Sequence, residues 1–188
     1  MRWAAVVLAA MAGLASADEM VSVCYNYGCA AEEMAFFSDE RLGIVGRMLA
    51  TTKTPEQERA ALASVVGRLY AWAGEQTPVR ADRGGNVADD GDHGRMDCID
   101  HSTTTTRFLD MLDERGWLRF HRVLFPERRV RFFVFQHYSA VIEELGPVRD
   151  PEHPRPERYV VDSWFRDNGR PAVIMPLEGW LAGDGEEE

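Results

Sequence analysis

What the chain has little of narrows its reading first. Beyond its opening residues no apolar run approaches the length that crosses a bilayer, so a helical membrane protein is not expected. Positive charge is in deficit: 21 Lys and Arg stand against 31 Asp and Glu, a net charge of −10. Such a surface matches neither the nucleic-acid backbone nor anionic lipid, so no nucleic-acid or membrane partner is expected. There is no internal repeat, and the only biased tract is Asp184 to Glu188, read as a solvated acidic tail. Cysteine is scarce, three in 188 residues, which is too few for a disulfide framework and leaves one thiol over.

The first residues point to a compartment. Arg2 supplies a short positive region, Ala4 to Leu14 an apolar core, and Ala15-Ser16-Ala17 a small-x-small cleavage site followed by Asp18 and Glu19. Residues 1–17 are read as a secretory signal peptide, which predicts export, most simply to a periplasm. No lipobox precedes Cys24, since the run there is Val21-Ser22-Val23. Removing 17 of 188 residues leaves 171, enough for one core-bearing domain, expected over 18–183. An oxidising compartment favours disulfides. Cys24 and Cys29 are the natural local pair, because Asn26 and Gly28 between them permit a tight turn; pairing of either with Cys98 stays open.

Apolar periodicity predicts a helix from Ser38 to Ala50, through Leu42, Val45, Met48 and Leu49, with Ser38 as N-cap. A second helix is marked by Thr54 as N-cap, Pro55 at the first position, Gln57 in a capping box and Gly74 as stop. Thr77 to Asp97 reads as a long polar loop. Its carboxylates, Asp89 to Asp92, are the residues that would ligate calcium, although the closing Glu of an EF-hand loop is missing. No other cofactor is implied. His93, Asp97, Cys98 and His101 lack the tight spacing of a zinc site.

Cys98 follows this loop and opens a helix running toward Glu114, with Gly116 as its stop. Ser102 and Thr103 to Thr106 are mediocre helix formers, so this helix rests on Asp100, Phe108, Leu109, Met111 and Leu112. A helix start favours a thiolate, whereas Asp97 and Asp100 oppose it. Strand-like sequence follows over Trp117 to Phe125 and Val130 to Glu144, with Pro126-Glu127-Arg128 as the turn between. After a proline-rich loop (Pro147 to Pro156), Arg158 to Trp164 and Ala172 to Met175 complete the meander. Helices first and an antiparallel sheet afterwards is an α+β order.

His137 and Asp162 fall on successive strands, where they would lie side by side and face the Cys98 helix. Nucleophile, base and orienting carboxylate make the set required for thiol acyl transfer. The order and context of Asp97-Cys98-x-Asp100-His101, His137-Tyr138-Ser139-Ala140-Val141 and Val160-Val161-Asp162-Ser163-Trp164 resemble the core of the transglutaminase-like superfamily. The closer likeness is to its bacterial cysteine proteinases. The resemblance covers residues 96–175. It implies a papain-like core with Cys98 as nucleophile, His137 as base and acid, and Asp162 as orienting group. It further implies a peptidase or amidase acting on protein or peptide amides. One departure is Met96, where that family usually has glycine. Two rivals are a catalytically silent binding or assembly module of the same fold and a peptidoglycan peptidase.

Overall fold

The computed structural model describes residues 18–86, 88–131, 135–146 and 156–185. The expected signal peptide, the proline-rich loop up to residue 155 and residues 186–188 of the acidic tail lie outside them.

The α+β class holds, but among the described residues helices do not come first. The first element is an antiparallel hairpin of β1 (Glu19–Tyr25) and β2 (Ala31–Phe37), in register from Glu19 opposite Phe37 to Tyr25 opposite Ala31. Val21, Val23 and Tyr25 alternate inward from β1, joined by Ala35 and Phe37 of β2. Next come α1 (Asp39–Ala50) and α2 (Pro55–Gly74), each started by its expected cap: Ser38 accepts from the Arg41 N–H and Thr54 from the Gln57 N–H. The long loop carries a short 3-10 turn, Pro78–Ala81, before α3 (Cys98–Glu114).

A four-stranded antiparallel sheet follows, in the order β3 (His121–Arg131), β4 (Phe135–Glu144), β5 (Arg158–Asp162) and β6 (Val173–Pro176). Pro126-Glu127-Arg128 is not the turn. β3 runs through these residues, its register against β4 shifts between Leu124 and Glu127, and the pairing continues to Arg131 opposite Phe135. The physical reason is position: β3 is the outer strand, where a bulge absorbs proline and its missing N–H. A last helix, α4 (Leu177–Ala182), was not anticipated.

The sheet is packed on both faces. Ala140, Ile142, Tyr159 and Val161 join a core built with Phe108, Leu109 and Leu112 of α3, Leu69 of α2 and Phe37 of β2. Val141 and Val160, of opposite parity, pack on Leu177 and Trp180 of α4. The hydroxyl residues of α3 serve this burial. Thr104 accepts the Cys24 N–H at 3.0 Å, and Thr105 bonds both Tyr70 and Ser163. Tertiary hydrogen bonds thus override weak helix propensity. Among the described residues no helix is long and apolar enough to cross a membrane.

Candidate active site

The site is built from the first turn of α3. Asp97 is its N-cap, and one carboxylate oxygen accepts the N–H groups of Ile99 and Asp100 at 3.0 and 2.9 Å. Asp100 reaches back to the Asp97 N–H at 3.1 Å, a capping box made with aspartate. The same carboxylate takes the N–H groups of Tyr27 and Cys29 at 2.8 and 2.6 Å. These belong to a run of four left-handed residues, Asn26 to Cys29, with φ between 54° and 66°. Cys24 and Cys29 are disulfide-bonded across that turn, leaving Cys98 free. Disulfide and Asp100 together pin this unfavourable backbone onto the start of α3. Burial, with the charge of Asp97, lifts the Asp100 carboxyl to about 6 against the pull of its N–H donors.

Cys98 is half-buried. Its Sγ lies 3.9 Å from the Gln136 carbonyl oxygen, and the Tyr138 N–H donates to the thiolate form. The sulfur therefore rests against the β4 main chain on both sides of His137. β3 covers one edge of this stretch, while the pairing of β4 with β5 reaches only Ala140, opposite Val161, and leaves the other edge open. Burial pushes the thiol up to about 11, and Asp97 and Asp162 add to the rise. The competition between helix start and carboxylates is thus decided for the protonated thiol. Met96 does not occupy the open edge: its side chain is in the core, and its N–H is held by Asp82 at 2.9 Å.

His137 is buried, and its Nε2 lies 2.7 Å from Asp162 Oδ2. An ionised carboxylate only accepts, so Nε2 carries the hydrogen and Nδ1 is the nitrogen left to take a proton. Asp162 is held in turn by the Trp180 indole N–H (3.1 Å) and the Trp164 backbone N–H (3.2 Å). Three rings enclose the imidazole: Trp164, Phe165 and Trp180, with centroids 4.9, 5.3 and 5.6 Å away. Cys98 thus lies against the main chain of the strand that carries His137, and Asp162 bonds the His137 ring.

A buried histidine beside a carboxylate is not by itself distinctive, since there are two more among the described residues. His101 bonds Ser163 through Nδ1 (2.8 Å) and Asp82 through Nε2 (2.9 Å). His121 bonds Glu58 through Nδ1 (2.9 Å) and Arg59 through Nε2 (3.2 Å). Both rings are engaged on both sides. Among the described residues none hydrogen-bonds His137 Nδ1, and His137 alone flanks a free thiol. Trp180, Trp164, Asp82 and Ser163 were missed as parts of the site. The signal for Trp180 is faint, since α4 has only six residues and buries just Leu177 and Trp180.

No metal set is assembled from the sequence candidates. His101 is fully engaged, Asp97 caps α3, and His93 stacks edge-on against Tyr25 at 5.6 Å. Asp89 accepts the Tyr27 hydroxyl at 2.6 Å and pairs with Arg95 at 3.0 Å, so calcium would have to displace a guanidinium. The residues present do not fit that ion. Among the described residues the one cluster of metal-ligating atoms is Cys24, Cys29 and Asp100, whose sulfurs are bonded to each other. Comparison of the chain with protein-family models, with curated proteins and with solved structures finds no match.

Proposed function

We propose that the chain is an exported thiol acyl-transfer enzyme, a cysteine peptidase or amidase of transglutaminase-like type with a papain-like core. The observation that carries it is the free Cys98 sulfur lying against the main chain on both sides of His137, whose Nε2 bonds Asp162. His137 Nδ1 takes the Sγ proton as sulfur bonds to the amide carbonyl carbon, and the carbonyl electron pair moves to oxygen. Asp97 takes the N–H groups of Ile99 and Asp100, so the Cys98 N–H is the nearest donor for that oxyanion. The carbon–nitrogen bond then breaks, and the amine leaves with the proton from His137. Water, deprotonated by the same ring, releases the thioester as an acid and restores the thiol. Asp162 stabilises the imidazolium throughout.

Because burial lifts the thiol to about 11, it rests protonated and proton transfer accompanies attack. The same elevation favours one rival, a silent module that keeps the fold. Export is supported by the leading apolar run and by the Cys24–Cys29 disulfide. The test is release of new amino groups from unfolded protein and from purified muropeptides by mature protein and by Cys98→Ala. Cys98-dependent release from unfolded protein supports the proposal. Release from muropeptides alone points to a peptidoglycan peptidase, and release from neither to the silent module.

A further inference from the structure

We propose that His101 is a positioning residue that fixes the nucleophile of α3 against the His137–Asp162 pair. The inference rests on the acyl-transfer reading of that site. Its basis is where the two partners of the His101 ring lie in the chain. His101 stands one helical turn after Cys98, so its ring is rigidly tied to the thiol's own turn. Nδ1 bonds Ser163, the residue directly after Asp162, at 2.8 Å. Nε2 bonds Asp82 at 2.9 Å, and the other oxygen of Asp82 holds the N–H of Met96, two residues before Cys98. One imidazole thus ties the approach to the nucleophile, the nucleophile's helix and the end of β5 into a single unit.

The surroundings make the tie stiff. Thr105 lies 2.9 Å from the Ser163 hydroxyl, and the Tyr70 hydroxyl reaches both Thr105 (3.1 Å) and the His101 carbonyl (3.2 Å). Asp82, His101, Thr105 and Ser163 are all buried. Ser163 continues into Trp164 and Phe165, two of the rings that enclose His137, and the Trp164 N–H binds Asp162. Loss of the His101–Ser163 bond therefore frees the wall of the His137 cage from the helix that carries Cys98. Neither group touches the reacting atoms, so the effect is on alignment. Misplacements on the scale of an ångström cost roughly a hundredfold in rate.

The test uses the full mature chain and an active ester, p-nitrophenyl acetate, with acyl loading on Cys98 read by peptide mapping against pH. His101→Gln keeps an amide donor near the Nε2 position for Asp82 but leaves nothing at Nδ1. Ser163→Ala removes the same bond from the other side, so either variant suffices if one fails to fold. At neutral pH acylation runs through His137; in alkali it runs through the thiolate without a base. The expected result is a neutral-pH rate lowered about tenfold or more, towards that of His137→Ala, with an alkaline limb matching that variant within about twofold. A merely structural residue would move both limbs together. A folded variant that keeps the wild-type neutral rate overturns the assignment of His101. Wild-type acylation that does not change in His137→Ala overturns the acyl-transfer reading itself.

Discussion

Replacing His137 by alanine separates two routes by which Cys98 can attack a carbonyl. Burial and two carboxylates hold the thiol near 11, so at about pH 7.5 only about 3 molecules in 10,000 carry a thiolate. An ordinary cysteine of pKa about 8.5 would carry about 9 in 100. The unassisted route is therefore suppressed by roughly two to three orders of magnitude in thiolate supply, and neutral-pH reaction must use a base. In the proposed reaction His137 Nδ1 is that base, and general-base assistance is worth about a hundredfold to ten-thousandfold. Acyl transfer from p-nitrophenyl acetate to Cys98, followed by stopped-flow release of nitrophenolate, should fall by at least about a hundredfold at pH 7.5 in His137→Ala. The loss should be recoverable. The variant's rate should rise about tenfold per pH unit as thiolate forms by itself, while the wild-type rate stays nearly level until that unassisted route overtakes the assisted one, about two pH units higher for a hundredfold assistance. Equal rates for the two proteins at pH 7.5 would refute the reasoning, as would a variant whose rate is level with pH.

Further perturbations follow from single contacts. Trp180 is fully buried and its indole N–H reaches Asp162, so Trp180→Phe should cost about 2–4 kcal/mol in urea denaturation and lower neutral-pH acylation too. Glu58 is fully buried; burial alone would raise its carboxyl, yet His121 and the N–H groups of Arg119 and Phe120 hold it below the ordinary range. Its stabilisation is therefore present above the ordinary carboxylate pKa and lost as pH falls through the lowered folded value. Glu58→Gln should lose about 3–5 kcal/mol at neutral pH and show a shallower acid limb than wild type, both read by denaturation across pH. Reduction of the Cys24–Cys29 disulfide, which closes a loop of sequence separation 5, should cost about 2 kcal/mol, measured by denaturation with and without reductant.

The helices were legible because their signals are local. Ser38, Thr54 and Pro55 mark starts that depend only on neighbouring residues, and Leu62, Val65, Val66 and Leu69 repeat at helical spacing. α3 was legible despite its threonines because Phe108, Leu109 and Leu112 keep the period, while Thr104 and Thr105 are explained only by partners far away in sequence. The opening hairpin was not read. β2 buries only Ala35 and Phe37 behind Glu32 and Glu33, too little alternation to register. Pro126 was read as a turn because proline usually breaks strands; its tolerance depends on β3 being outermost, which no local pattern states. Cys98, His137 and Asp162 were singled out by their order along the chain. The residues that hold them were not, since Trp180, Asp82 and Ser163 acquire that part only through tertiary neighbours.

The central claim is that Cys98 forms a thioester from an amide, and acid quenching tests it most directly. Mature protein is mixed with an excess of unfolded protein, quenched during turnover, digested and mapped at the peptide containing Cys98. The expected result is an acyl adduct on Cys98 that hydroxylamine removes, present in wild type and absent in His137→Ala. An intact substrate together with an unmodified Cys98 in folded wild-type protein would contradict it.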